Sequence, residues 1–418
     1  MGAPPTEPAA AAAPKCPHAP TCAGCALIGT AYTRQLALKQ ERVVAALGAH
    51  APLTGVTVGD ITGSPRVFGY RNQAKLVVRQ SRRGLLFGVY RPGTHQVVDI
   101  SQCAVHDPRI TRVLAGVRQA VESTGTPAYD ERSGEGWLRY VVIRTAAWTH
   151  SAQVILVVRD RNWSGEAALL SRVRRLPSVR SVVLNLNRSP GNVILGDRFI
   201  GITREQALIE RIGGLTLTSR AGAFLQANIS VARKVYERVV DLADPQPDTL
   251  AVDLYCGVGA ISFYLAGRAH QVFGVEESPQ AIIDAKMNIR LHGYHNVRFL
   301  GAPAAAGMEQ LADTLPDIDL VTLNPPRKGA DEATRAAIVR AAPRRIVYVS
   351  CDPSTLARDL DWFAGRGWRT TRVDPFDMLP QTEHVECVAL MERDDQPSAV
   401  SAQPEGGRGG AKRPPEKR

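Results

Sequence analysis

At 418 residues, with 44% hydrophobic and 22% charged positions, the chain reads as globular, with a sizeable core and more than one domain. No apolar run approaches the ~20 residues of a membrane span, and no period recurs, which excludes coiled-coil, collagen and repeat architectures. The formal net charge of +11 is unevenly spread: residues 1–222 carry 28 Lys/Arg against 14 Asp/Glu, residues 223–393 carry 18 against 22, and residues 394–418 carry 5 against 4. Of the 28 cations in the first half, 25 are arginines, whose planar guanidinium suits phosphate and stacks on bases. The excess points to a polyanionic partner for that half.

In chain order, residues 1–15 are Ala/Pro-rich and expected to be disordered, as are residues 394–418. No signal-peptide pattern opens the sequence. From 16 to 222 the sequence predicts an α+β domain. Short β-rich runs (AKLVVRQ, GLLFGVY, YVVIRTA, AQVILVV, SVVLNLN, NVILGD) alternate with turn residues and point to an antiparallel sheet, interrupted by helices over 33–47 and 109–123. From 223 to 393 the pattern changes. The apolar strands TLAVDLYC, HQVFGVEE, IDLVTLNPP and RIVYVSC alternate with helical segments such as SPQAIIDAKMNIRLHG and DEATRAAIVRAAP, the signature of a parallel, doubly wound α/β sheet. Ligands of such sheets sit at the carboxyl ends of the strands.

Four strand ends carry chemistry. The first runs from Asp253 into Tyr255-Cys256-Gly257-Val258-Gly259, a Gly-x-Gly turn that lets a ligand approach the backbone. The second ends in Glu276, 23 residues after Asp253, the position of a ribose-binding acid. A third fingerprint glycine is missing, so S-adenosylmethionine suits the turn better than a dinucleotide. The next strand presents Asn324-Pro325-Pro326-Arg327. Base N-methyltransferases place an aromatic where Arg327 stands, which argues against amino-group methylation. The following strand ends in Ser350-Cys351-Asp352-Pro353, just before a helix whose dipole is expected to lower the Cys351 thiol pKa. Glu386, 35 residues on, is the acid/base partner that covalent catalysis by Cys351 needs.

Seven cysteines form an odd set with no export signal, so a disulfide framework is not expected and the reducing cytoplasm is. Cys16, Cys22 and Cys25, with Cys103 downstream, supply four soft ligands for either a tetrahedral zinc or a [4Fe–4S] cluster; their irregular spacing leans towards iron–sulfur.

Taken together, Phe68-Gly-Tyr-Arg-Asn-Gln-Ala-Lys75, Phe224-Leu-Gln-Ala-Asn228, the Asp253–Gly259 turn, Asn324-Pro-Pro-Arg327, Ser350-Cys-Asp-Pro353 and His384-Val-Glu-Cys387 resemble the bacterial RNA uracil-5-methyltransferases over residues 16–393. The branches of that family modify 23S rRNA (RlmC, RlmD) and tRNA (TrmA). The resemblance implies a Rossmann-like methyltransferase domain behind an RNA-binding α+β domain that holds a [4Fe–4S] cluster on Cys16, Cys22, Cys25 and Cys103. It implies S-adenosylmethionine contacts from Gln226, Tyr255, Glu276 and Asn324, Cys351 as nucleophile and Glu386 as base. Asn324, where RlmD and TrmA members carry Asp, and the cysteines' start at residue 16, with no β-barrel before them, match an RlmC-like organisation. The expected partner is 23S rRNA, bound by a monomer. A tRNA enzyme, or an iron–sulfur RNA-binding protein with an idle transferase site, is the alternative. Arg71 and Lys75, with Arg139 next, are the candidates for phosphate or base contact.

Overall fold

A computed structural model describes residues 16–394, apart from 20, 190 and 192. The two expected disordered tails therefore lie outside the described residues, save Asp394. Among the described residues no helix is long and apolar enough to cross a membrane.

The chain opens with helix α1 (Tyr32–Gly48) and a short strand, β1 (Thr57–Val58). The buried positions of α1 are Gln35, Lys39, Val43 and Leu47, one stripe at every fourth residue, and half of it is polar. Next come β2 (Gln73–Ser81), β3 (Gly84–Tyr90), β4 (Val97–Asp99), α2 (Pro108–Ser123), β5 (Leu138–Ala146), β6 (Ser151–Val158), α3 (Glu166–Val173), β7 (Val179–Leu186) and β8 (Arg198–Gly201). These strands form one sheet in the order β4-β3-β2-β5-β6-β7-β8. Every residue of β5 and β6 is buried, because α2 and α3 cover one face and a smaller apolar cluster around Tyr140, Ile155 and Phe199 covers the other.

Two sequence expectations are corrected here. The sheet is mixed: β6 and β7 pair in parallel, because α3 carries the chain back across the sheet. The run NVILGD is not a strand: its described part, 193–197, is loop, and β8 begins only at Arg198.

A hairpin, β9 (Ala207–Ile212) and β10 (Leu215–Arg220), turns on Gly213-Gly214, with Gly213 at φ 61°. The second body then runs α4 (Ile229–Ala243), β11 (Leu250–Leu254), α5 (Ala260–Ala266), β12 (Gln271–Glu276), α6 (Pro279–His292), β13 (Val297–Gly301), α7 (Ala304–Thr314), β14 (Leu320–Leu323), α8 (Glu332–Ala341), β15 (Arg345–Ser350), α9 (Pro353–Ala364), β16 (Trp368–Phe376) and β17 (Glu386–Arg393). Its sheet has the order β1-β16-β17-β15-β14-β11-β12-β13, with β17 antiparallel to both neighbours and the remaining pairs parallel.

The packing cuts the chain differently from the expected boundary between 222 and 223. Val43, Leu47 and Leu53 share a core with Leu356, Leu360 and Trp368, and β1 pairs with β16. Ile212, Leu215 and Leu217 pack with Val235 and Phe263. The segment of α1 and β1 and the β9–β10 hairpin thus belong to the second body. Amphipathic periodicity shows that a face is buried, not which body buries it.

Candidate active site

In the antiparallel pair β15–β17, Ser350 faces Cys387. Cys351 directly follows β15 and Glu386 opens β17, so the two stand at the same end of this pair, close enough for Glu386 to act on the Cys351 thiol. The long excursion through α9 and β16 closes the 35-residue gap in sequence. Glu386 is 5% exposed, and burial pushes its carboxyl up to about 7, against the pull of Arg327. The Cys351 thiol is raised too, first by burial and then by Glu386, with Arg327 opposing. The expected lowering by the helix dipole is therefore corrected. Asp352 is the N-cap of α9, and its Oδ1 already accepts from Ser354 N (2.9 Å) and Thr355 N (3.2 Å). A carboxylate thus occupies the positive end of the helix.

Arg327 lies beside this pair. Its NH2 donates to His384 Nε2 at 3.1 Å, and its carbonyl accepts from Thr355 Oγ1 at 3.1 Å. The sequence assigns neither Arg327 nor His384 a role at this pair; the signal that marks both is position, at the carboxyl rim of the sheet.

Tyr255 follows β11, Glu276 ends β12 and Asn324 follows β14, three neighbouring strands of the sheet. Tyr255 adopts φ 59°, uncommon for a side chain of its bulk. Gly257 (φ 56°) faces open space, whereas a Cβ on Gly259 (φ 90°) would sit 2.5 Å from the Phe299 ring. One glycine thus leaves room on the rim while the other admits close packing beneath it. Glu276 braces the turn: Oε2 accepts from Gly257 N (3.0 Å) and Oε1 from Ser278 N (2.8 Å). Below it, fully buried Asp253 is pushed up to about 6 by desolvation, although Ser262 (2.6 Å) and Thr322 (2.8 Å) donate to it. Asn324 N donates to Leu254 O at 3.3 Å, which joins two of these strand ends. Gln226 comes from elsewhere, the segment between β10 and α4. It is buried, and its carbonyl accepts from Asn72 Nδ2 at 3.0 Å, a tie to the first body.

The structure draws Cys16, Cys22, Cys25 and Cys103 towards one another as free thiols. Burial pushes Cys25 up to about 12, with Cys103, Cys22 and Cys16 adding to the rise and Arg71 opposing it. Among the described residues no group of three or more His, Cys, Asp or Glu side chains is arranged to hold a metal ion. The segment also reaches the catalytic body: Leu27 N donates to Gln381 O (3.0 Å), and Tyr70 OH to Pro380 O (2.8 Å).

Of the expected RNA contacts, Arg71 is half-buried and has no carboxylate within ion-pair distance among the described residues. It acts electrostatically on Cys25 and on His106, whose pKa burial lowers to about 3. Lys75 is exposed on β2, and the protein around it, Arg144 and Arg71 lower its pKa. Arg139 is corrected. It is 4% exposed and donates to the carbonyls of Asn187 (2.8 Å), Ser189 (2.8 Å) and Gly191 (3.4 Å), so it holds a loop.

Comparison with known proteins agrees with this geometry. Residues 211–394 match the family described as tRNA (Uracil-5-)-methyltransferase. An uncharacterized RNA methyltransferase of Geobacter sulfurreducens is 42% identical over 381 residues, 91% of this chain and 77% of the relative. One of Halalkalibacterium halodurans is 36% identical over 378 residues, 90% of this chain and 82% of the relative. Among solved structures, the Pyrococcus abyssi tRNA (uracil-54, C5)-methyltransferase in complex with S-adenosyl-L-homocysteine aligns with TM-score 0.71 and 27% identity, over 89% of this chain and 86% of that one. With the strand-end residues in place and near-full-length relatives of this kind, the chain belongs to the RNA uracil-5-methyltransferase family.

Proposed function

We propose that the protein methylates C5 of a uridine in 23S rRNA, using S-adenosylmethionine as donor. The observation that supports the reading is that Cys351 and Glu386 stand together at the carboxyl rim of the sheet, where β15 ends and its antiparallel neighbour β17 begins. C5 of uracil is a weak carbon nucleophile. Addition of the Cys351 thiolate to C6 forms the S–C6 bond and moves the C5–C6 π pair to C5 and O4. S-adenosylmethionine supplies the methyl group as a sulfonium, and C5 takes it. Glu386 then removes the C5 proton, the C5–C6 double bond re-forms and the Cys351 sulfur leaves. Tyr255, Glu276, Asn324 and Gln226 are the proposed donor-binding residues. Three of them stand on the rim formed by β11, β12 and β14, and Gly257 leaves space beside them.

The four cysteines are assigned a [4Fe–4S] cluster: they supply four soft ligands, and their thiols sense one another. Anaerobically purified protein is expected to hold about four irons per chain. Stoichiometric zinc without iron would overturn the assignment. This cysteine set also supports rRNA over tRNA, since the tRNA branch that the sequence resembles normally lacks it. The tRNA reading draws support from the Pyrococcus abyssi neighbour, whose substrate is tRNA. Mass mapping of 5-methyluridine in a deletion strain separates the two: loss of the mark from 23S rRNA is expected, and loss from tRNA alone would select the other.

A further inference from the structure

The second body has more acids than bases, yet cations gather at the mouth of its catalytic pair. Arg42 projects from α1, and its side chain is 40% exposed. NH1 donates to Glu383 O at 3.0 Å, while NH2 stands 3.9 Å from Asp352 Oδ2, the residue next to Cys351. Arg327 is exposed on the other side of His384 and has no carboxylate within ion-pair distance among the described residues. Because Arg327 donates to His384 Nε2, a neutral His384 carries its proton on Nδ1, a free donor. Lys39 stands behind, committed to Asp377.

We propose that Arg42 and His384, with Arg327, form a phosphodiester clamp that holds the RNA backbone beside the uridine presented to Cys351.

Three observations support this. Arg327 bonds the His384 ring and Arg42 the carbonyl of the residue before it; burial first, then the charges of Arg327, Arg42, Lys39 and Arg71, hold His384 below its usual pKa. Such a rim repels itself until an anion fills it. The Arg42 guanidinium has five donors and spends one on Glu383 O; Asp352, the one carboxylate within ion-pair distance of it among the described residues, stands 3.9 Å away and takes no hydrogen bond from it. The anion is also not the carboxylate of the methyl donor. The glycine turn follows β11, three strand positions from β17, or about 14 Å at the usual strand spacing. What must reach Cys351 from outside is a nucleotide, whose base is neutral and whose linkages are anionic.

The inference rests on the proposed RNA-methylating function, and the test separates the two. Binding of in vitro transcribed 23S rRNA is measured against salt for the S-adenosylhomocysteine-loaded wild type, Arg42→Ala, Arg42→Lys and His384→Gln. Covalent trapping of 5-fluorouridine-substituted transcript by the wild type reports on the function. Arg42→Ala is expected to weaken binding about tenfold and to lower the slope of log K against log salt by about one, with S-adenosylhomocysteine affinity unchanged and Arg42→Lys largely restored. His384→Gln is expected to weaken binding less, with the slope kept. Wild-type trapping with an unchanged slope in Arg42→Ala would overturn the clamp and leave the function standing. A wild type that neither binds nor traps the transcript would overturn both. If Arg42→Ala lowers the melting temperature, the Arg42→Lys slope decides: a wild-type slope upholds the charge contact, and a reduced one refutes it.

Discussion

The role proposed for Glu386 and its burial pull its proton in opposite directions. As the proposed base it must be ionised; as a buried carboxyl it favours the neutral form until about pH 7. Release of methylated RNA from the covalent intermediate should therefore rise with pH through about 7 in a quench experiment, and a flat profile from pH 5.5 to 8.5 would remove Glu386 from the step. The same shift acts on stability. The folded pKa lies above the ordinary 4.5, so the native state binds the proton more tightly. This contribution is fully present below pH 4.5 and is lost as pH rises through 7. Glu386→Gln should then be the more stable protein at pH 8 by up to about 3 kcal/mol, with the gap closing by pH 4.5, as read by chemical denaturation. It should also accumulate the methylated adduct. The residue types at the strand ends were legible in sequence, because a doubly wound sheet puts function there. The direction of the Cys351 shift was not, since the burial and the nearness of Glu386 that raise it are visible only as geometry.

Helix α1 shows what pattern alone cannot carry. Its limits were readable from periodicity, but its partner was not. Two of its four buried positions are Gln35 and Lys39, and their partners lie more than 300 residues away. Lys39 pairs with Asp377, Tyr32 OH donates to Asp377 Oδ2 (2.9 Å), and Gln35 exchanges hydrogen bonds with Gln381 at 2.9 and 3.1 Å. These contacts fix the loop that leads from β16 to His384 and Glu386. Lys39→Ala would leave Asp377 buried with its charge unpaired, at a cost of about 3–5 kcal/mol. Lys39→Ala combined with Asp377→Ala should recover part of that loss. A single variant as stable as the wild type in urea would mean that the loop holds itself. The β9–β10 hairpin was missed for another reason. Its Gly213-Gly214 turn, set between alternating runs, is a readable hairpin signal, but nothing local assigns the hairpin to a body.

Charge divides the molecule less simply than its sequence halves do. The first half carries the arginine excess, but Arg139 spends its charge on carbonyls, and Arg144, fully buried, donates to Arg220 O (2.6 Å) and Gln153 (3.0 Å). The second half is acidic in sum, yet its catalytic mouth is cationic through Arg42, from the first sixty residues, and Arg327. Arg71 and Lys75 are the members of the sequence-based set that remain available. They lie at the start of the first body's β2, next to the Asn72 tie to Gln226 and close to the cysteines. An RNA held there and at the catalytic mouth would cross from one body to the other. Lys75 gives the cleaner test, because it is exposed and, after the protein packed around it, the cations Arg144 and Arg71 crowd it. An RNA phosphate would relieve that crowding. Lys75→Ala should weaken binding of the 23S transcript, lower the salt slope by about one, and leave both the iron content and the melting temperature at wild-type values. Arg71→Ala should do the same to the slope but also disturb the cysteine site, visible as a changed cluster absorbance. An unchanged slope in Lys75→Ala would move the RNA track off β2 and leave the catalytic mouth as its anchor.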